Sequence, residues 1–299
     1  MTFATIKDLC DPGPGRGRRD AGETLFPVAA ACAALGVSRS GYYAWLKRPA
    51  SDRAERHAAL AEQVIAAHAQ GRGAYGSPRV YHVLKAAGAT ACENTVAKVM
   101  REQGIRGRAR RGFVPRTTDS THARPVAGNV LDRQFDAALP DQKWAADITC
   151  VPTAQGWLYL AGVIDLCSRK LVGWSAADHM ETDLVADALV GAVKRRRPRA
   201  GLLHHSDRGS QYASDAYQGL LARHGIEPSM SAKGDCWDNA PMESFWATLK
   251  GELTDHQRYA TRDEARRSIA EYIDGFYNRK RLHSSLGYQS PEAFEAALN

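Results

Sequence analysis

Three acids in this 299-residue chain have neighbours that suit chemistry. Asp147 lies mid-way through residues 144–151, where Trp144, Ala146, Ile148 and Cys150 alternate with Ala145, Asp147, Thr149 and Val151. That period of two reads as a strand. An unpaired carboxylate inside a strand is costly to bury, so Asp147 calls for a partner. Asp207 follows the short run 201–206, a second expected strand, with Gly209 just beyond. Strand ends of this kind are where α/β sheets place their sites. Glu243 sits early in an expected helix, with Asn239 placed to cap it and Pro241 in its first turn. Lys250 comes seven residues later, on the same helix face. Three carboxylates without a Cys/His cluster suit a hard cation such as Mg²⁺. Two such ions stabilise the attacking and leaving oxygens of a phosphodiester displacement. The residues alone also allow a plainer reading, in which each acid caps a turn or pairs with an arginine.

The elements that must position these acids change character along the chain. The N-terminal half reads as small helices. Residues 27–35 form one, Gly36-Val37-Ser38 a turn, and Ser38 or Ser40 starts another through Lys47. A longer helix spans 51–69, with Leu60, Val64, Ile65 and His68 on one side. Ser77 can cap a helix running to Ala87 with Pro78 at its first position, and Val80, Val83 and Leu84 face inward. The next helix, 92–101, has Val96, Val99 and Met100 on its apolar side. Asn94, Thr95, Lys98 and Arg101 lie on the other, able to contact bases and phosphates. The C-terminal half alternates: strands 144–151, 157–165 and 170–176, a helix 181–193, a strand 201–206, a helix 215–224, a strand 226–230 and a helix 239–253. A meander followed by strand–helix–strand describes a mixed sheet covered by helices.

Charge sharpens this. Forty Lys+Arg against 33 Asp+Glu give a net +7, a weak pointer to a polyanion. Its distribution is more telling. Between Arg101 and Arg124 stand seven arginines, among them Arg108, Arg110 and Arg111, and two acids, interleaved with Gly and Pro. That composition reads as a basic linker, either a solvated spacer or, as the scarcity of balancing acids favours, one lying along phosphates. A second run, residues 194–199, is compatible with an ordinary helix end. Residues 11–23 read as disordered. No run approaches the ~20 apolar residues a bilayer span needs. The N-terminus lacks a signal-peptide pattern, so a cytoplasmic setting without a membrane partner is expected. The six cysteines are scattered, with no C-x-x-C pair, and read as buried free thiols rather than a zinc site.

The segments 144–149, His205-Ser206-Asp207-Arg208-Gly209-Ser210-Gln211-Tyr212, and Gly234-Asp235-Cys236-Trp237-Asp238-Asn239-Ala240-Pro241-Met242-Glu243-Ser244-Phe245 resemble the DDE core of insertion-sequence transposases. More narrowly they resemble the second reading frame of the IS-three family. Thirty-five residues separate Asp207 from Glu243, the family's spacing. The resemblance extends to Gly36-Val37-Ser38-Arg39-Ser40-Gly41-Tyr42-Tyr43, to Tyr75-Gly76-Ser77-Pro78-Arg79-Val80, and to Tyr277-Asn278-Arg279-Lys280-Arg281-Leu282-His283-Ser284-Ser285-Leu286-Gly287-Tyr288.

The resemblance implies an α/β, RNase H-like (retroviral integrase-like) mixed five-stranded sheet with flanking helices. A helix-turn-helix-type all-α region precedes it. The implied layout is a flexible segment 1–26, a DNA-binding helical region 27–103, a basic linker 104–135, a catalytic core 136–256 and a helical extension 257–299. Asp147, Asp207 and Glu243 would hold two Mg²⁺, with Mn²⁺ as substitute, for cleavage of transposon ends and strand transfer into target DNA. Lys250 matches a basic residue that contacts DNA near the cut. His205, Ser206, Arg208 and Gly209 would shape the site, with His205 structural rather than a ligand. Thr95, Lys98, Arg101, Arg108, Arg110 and Arg111 are the other expected DNA contacts. Asp165 and Glu252 are not selected. The family also implies a homo-oligomer on DNA at the bacterial nucleoid. It further implies fusion or partnership with an upstream-frame protein carrying a helix-turn-helix and leucine zipper, since no zipper heptads occur here. The Pro/Gly/Arg stretch 11–19 and Cys150, where an aromatic is common, depart from the family. A nuclease-only relative, or a DNA-binding regulator with a silent core, are the rival readings.

Overall fold

The computed structural model describes residues 2–10, 26–49, 51–108, 124–232 and 236–298. Contacts divide the chain into two compact units, Met1–Ala61 and Glu62–Asn299.

The first unit contains α1 (Thr2–Cys10), α2 (Val28–Ala34) and α3 (Arg39–Lys47). Its core is Ile6, Ala31, Cys32 and Tyr42, with Phe3 and Trp45 packed against it. The α2–α3 turn uses Gly36 at φ +66°, a conformation glycine adopts without a Cβ penalty. Ser38 Oγ then caps α3, accepting from the Gly41 N–H at 3.0 Å. The span 1–26, expected to be flexible, thus begins with a helix, because Phe3 and Ile6 supply an apolar side that α2 and α3 cover. The expected disorder at 11–23 lies outside the described residues.

The helix α4 (Asp52–Gln70) crosses the unit boundary. Its inward positions are Ala61, Val64 and Ala67, while Ile65 is 46% exposed. Ile65 lies ~100° around the axis from Val64 and falls outside the side that this helix buries. The helix α5 (Ser77–Ala86) begins at Gly76 rather than with a Ser77 side-chain cap. The helix α6 (Glu93–Glu102) buries Val96, Val99 and Met100, as its periodicity predicts.

The sheet consists of β1 (Lys143–Thr153), β2 (Gly156–Asp165), β3 (Leu171–Ala177), β4 (Leu203–Ser206) and β5 (Glu227–Met230). Their order is β3-β2-β1-β4-β5. β1–β2 and β2–β3 are antiparallel, and β1–β4 and β4–β5 are parallel. One face is covered by α7 (Thr182–Arg196) and α8 (Asp215–Arg223). The other meets α9 (Ala240–Glu252) and α10 (Arg262–Ala270). As the central strand, β1 is buried on both faces, so the alternation in its sequence does not mark one wet side. Close approach of α7 to β3 depends on Gly173, where a Cβ would overlap the Ala188 carbonyl.

The second unit's outer segments are tied to this sheet. Leu131 is buried, and the Val130 and Leu131 N–H groups donate to Ser229 Oγ at 3.0 and 3.1 Å. The described C-terminal part of the expected linker is therefore docked, because its one buried leucine and its backbone donors find partners at β5. Beyond α10, a π-helical stretch Glu271–Tyr277 leads to Asn278. The Asn278 side chain accepts from Leu171 N and donates to Leu171 O, both at 3.0 Å, completing hydrogen bonds at the start of β3. The chain closes with α11 (Pro291–Leu298). In the run 194–199, Arg196 turns inward to Asp141 and Glu295 at 2.8 Å each. Cys32 and Cys150 are buried, but Cys92 is exposed and Cys10 and Cys167 are half-buried, so the thiols are not uniformly buried. Among the described residues no helix is long and apolar enough to cross a membrane.

Candidate active site

Parallel pairing of β1 with β4 sets Ala145 opposite His205. Two residues on, Asp147 is still within β1, and Asp207 has just left β4. Both acids thus reach the same end of adjacent parallel strands, where such sheets leave a crevice. Asp147 is paired with Gly162 across the β1–β2 ladder. A Cβ on Gly162 would lie 3.0 Å from the Trp246 ring and 3.2 Å from Met242, so α9 packs directly on bare backbone there. That contact aims Trp246 Nε1 at Asp147 Oδ2, to which it donates at 3.1 Å. Glu243 lies three residues earlier on α9, on the same helix face and exposed. Asp207 is held by the Gly209 N–H, which donates to its Oδ1 at 2.9 Å.

Asp147 therefore sits among acids. Burial first, then Asp207, and to a smaller degree Glu243 hold its carboxyl well above the usual carboxylate range. The hydrogen bonds from Ile148 and Trp246 oppose this only in part. Nearby, the Tyr212 hydroxyl and Asn239 Oδ1 are buried without a hydrogen-bond partner among the described residues. Tyr212 is close enough to feel the charges of both Asp147 and Asp207. Asn239 does not cap α9; its Nδ2 donates to Ala146 O at 3.0 Å. Convergent acids beside orphaned polar atoms fit a hydrated divalent cation with oxygen ligands. The triad does not close tightly. Among the described residues, the His/Cys/Asp/Glu group with ligand atoms all within 4.8 Å of one another is His179, Glu181 and Asp183, beyond the end of β3.

Supporting residues fix the crevice. His205 bridges Ser229 Oγ at 2.9 Å and Ser231 Oγ at 3.1 Å, joining β4 to the end of β5. Burial pushes its ring down to about 4, so it is a neutral strut. Arg208 Nε donates to Ser231 O at 2.5 Å. Asp238 is the residue whose role sequence reasoning missed. It accepts from Arg133 Nε at 2.9 Å, Asn129 Nδ2 at 3.0 Å and Ala232 N at 2.7 Å. Burial alone would raise its carboxyl, but the Ala232 N–H and Arg133 outweigh burial and hold it below the usual range. It thereby anchors the segment leading into α9. Its only signal in the sequence was its place in the Trp237-Asp238-Asn239 motif. Asp165 and Glu252, the unselected acids, are internal. Asp165 accepts from Ser168 and Asp141 N–H groups, and Glu252 is paired with Arg281 at 2.7 Å.

The chain matches the family described as "Integrase core domain" over residues 137–236, and a second family of that description over 224–291. Residues 55–113 match "HTH-like domain". The 31 kDa protein of insertion element IS600 from Shigella sonnei is 44% identical over 88% of this chain and 96% of its own length. Transposase InsF of insertion sequence IS3A from Escherichia coli is 43% identical over 90% of this chain and 94% of its own. The chain belongs to the IS3 family of insertion-sequence transposases. Among solved structures, the catalytic core domain of HTLV-2 integrase in complex with magnesium aligns over 54% of this chain and 99% of that one, at 15% identity and a TM-score of 0.41.

In this IS3-family chain the other expected DNA contacts are spread widely. Lys250 is buried on α9, close enough to Cys150 for its charge to offset part of burial's upward push on that thiol. On α6, Lys98 and Arg101 are exposed, and Lys98 lies 3.8 Å from Glu102. The Thr95 hydroxyl is 3.2 Å from Cys92 Sγ. Arg108 is turned inward, its Nη1 donating to Glu252 O at 2.6 Å. Arg110 and Arg111 lie outside the described residues. The helix-turn-helix-like and integrase-core matches imply that DNA is the partner.

Proposed function

We propose that this IS3-family transposase cuts transposon ends and joins them to target DNA through a site built on Asp147, Asp207 and Glu243. The observation that carries the reading is the crowding of Asp147. An acid on a central strand, half-buried and crowded by two further acids, is held in a form that a cation would relieve. When bound, two Mg²⁺ or Mn²⁺ ions would activate water or a DNA 3′-OH and stabilise the leaving oxygen. The protein's own residues orient that chemistry. Trp246 fixes the Asp147 carboxylate by its N–H, and the Gly209 N–H fixes Asp207. Glu243 is carried on a helix locked to β2 at Gly162.

Exposed Lys98 and Arg101, with Thr95, suit α6 to duplex contact. Arg110 and Arg111, and Arg208 and Lys250 beside the crevice, are the further basic groups for phosphate. Pairing of two transposon ends favours at least a dimer on DNA. An upstream-frame partner would supply the zipper, and the nucleoid is where such a protein would work.

The test is a labelled transposon-end duplex incubated with the full chain, with and without its upstream-frame partner, in Mg²⁺. Nicking and joining are expected. Asp147→Asn, Asp207→Asn and Glu243→Gln should each reduce both to background while binding persists. Undiminished activity in Asp147→Asn would sink the assignment.

A further inference from the structure

Two motifs flagged in the sequence have no place in the crevice: 75–80 and 277–288. They lie some two hundred residues apart, yet they meet. The Leu282 N–H donates to Tyr75 Oη at 2.9 Å, and Arg79 Nε donates to Leu282 O at 2.9 Å. Together with α9 they enclose a cleft of about 360 Å³. Its lining includes Arg79, Arg169, Arg281, His283, Ser285 and Thr248.

The cleft is electropositive. Glu252 pairs with Arg281, but among the described residues neither Arg79 nor Arg169 has an ion-pair partner. Glu252 attracts Arg79 only at longer range, so its charge is at most partly offset. The field reaches His283, whose ring is pushed down to about 3 by burial and then by Arg281, Arg79 and Arg169. The first turn of α9, Ala240 and Pro241, also lines the cleft, adding the positive end of a helix dipole. Hydroxyls of Ser244, Thr248, Ser284 and Ser285 complete a donor-rich wall. Guanidinium groups plus hydroxyl donors make a phosphate-binding set.

Its position says which phosphate. Ile164, which lines the cleft, is two residues along β2 from Gly162, the partner of Asp147. That is about 7 Å of strand. A DNA strand advances ~3.4 Å per nucleotide, so a phosphate here is only a few nucleotides from one at the crevice.

We infer that the cleft between the 75–80 and 277–288 motifs binds a backbone phosphate of the same DNA strand that enters the Asp147 crevice, with Arg169 and Arg79 as its charged contacts. This rests on the transposase reading, because it needs DNA at the crevice.

Arg169→Gln and Ser285→Glu in the full chain test it, with thermal unfolding as the fold control. A duplex end is made with one neutral methylphosphonate at a time, walked through the nucleotides flanking the cut. The unmodified duplex should bind Arg169→Gln several-fold more weakly, with its salt slope reduced by about one. Ser285→Glu should weaken binding further. At one or two positions the methylphosphonate should weaken the native chain and leave Arg169→Gln unaffected. Inorganic phosphate in the millimolar range should not restore the difference. Full additivity at every position, or an unchanged salt slope in both variants, would overturn the cleft while leaving end cleavage intact. A native chain that bound the end but never nicked it would overturn the transposase reading instead.

Discussion

At the scale of single residues, the Trp246–Asp147 hydrogen bond does two jobs. It orients one carboxylate oxygen, and by donating to the charged form it counteracts burial and the neighbouring acids. Trp246→Phe keeps most of the packing on Gly162 but removes the donor. Hydrogen bonds to charged groups contribute about 1.5–3 kcal/mol, so roughly a tenfold loss of cleavage at neutral pH is expected. The sign is definite. Losing a donor to the ionised form raises the Asp147 carboxyl still further, so the acid limb of the pH–rate profile should move to higher pH. Raising the pH should recover most of the activity, and a profile that drops without shifting would argue against this role. Asp147, Asp207 and Glu243, the acids of the proposed site, could be picked out in the sequence because their motifs are local. The donor from Trp246 was not, since it depends on the absence of a side chain at Gly162, which only strand register reveals.

Among the elements, the link between α9 and the stretch after the π-helix rests on one buried ion pair. Arg281 reaches Glu252 with both Nε and Nη2, and the Tyr272 hydroxyl donates to Glu252 Oε2 at 2.8 Å. Breaking a buried pair from one side leaves a bare charge and costs about 3–5 kcal/mol, whereas replacing both partners is close to neutral. Arg281→Met should therefore unfold at markedly lower denaturant, and adding Glu252→Gln should restore most of the midpoint in urea titrations. Equal loss in the single and double variants would show that packing, not charge, dominates. Strand and helix types were largely readable from periodicity, because the core is built from long apolar runs. Two local readings failed where tertiary contacts outrank local rules. Asn239 spends its amide on the Ala146 carbonyl instead of capping α9, and β1 is covered on both faces although its sequence alternates.

For the molecule as a whole, buried neutral histidines set the acid limit. His204, bonded to the Tyr217 hydroxyl at 3.1 Å, and His283 are both pushed down to about 3, chiefly by burial. Their folded values lie below the unfolded value near 6.5, so the unfolded chain takes up protons first as pH falls. Their contribution is complete above about pH 6.5 and is lost on the way down towards pH 3. Each should remove on the order of 1 kcal/mol per pH unit in that window. Asp147 and Asp165, whose carboxyls are raised, act in the opposite sense as they take up protons. Thermal midpoints measured from pH 7 to 4 should fall steeply, and His204→Gln should flatten the fall; a flat native curve would contradict it. The docking of residues 124–135 onto β5 was hidden in the sequence, because Arg, Gly and Pro look like linker until Ser229 and Asp238 supply partners.

The parallel pairing of β1 with β4 also bears on the order in which these residues come together. The meander β1–β2–β3 can form from adjacent segments as soon as it is synthesised. Asp207 joins Asp147 only after the α7 crossover has been made and β4 has emerged. Glu243 and the Trp246 donor arrive later still, on a helix held in place by Arg281 near the end of the chain. Long-range parallel pairing is among the slower events in folding. A chain that stopped before α9 would therefore carry Asp147 without the Trp246 donor and without the helix that packs on Gly162.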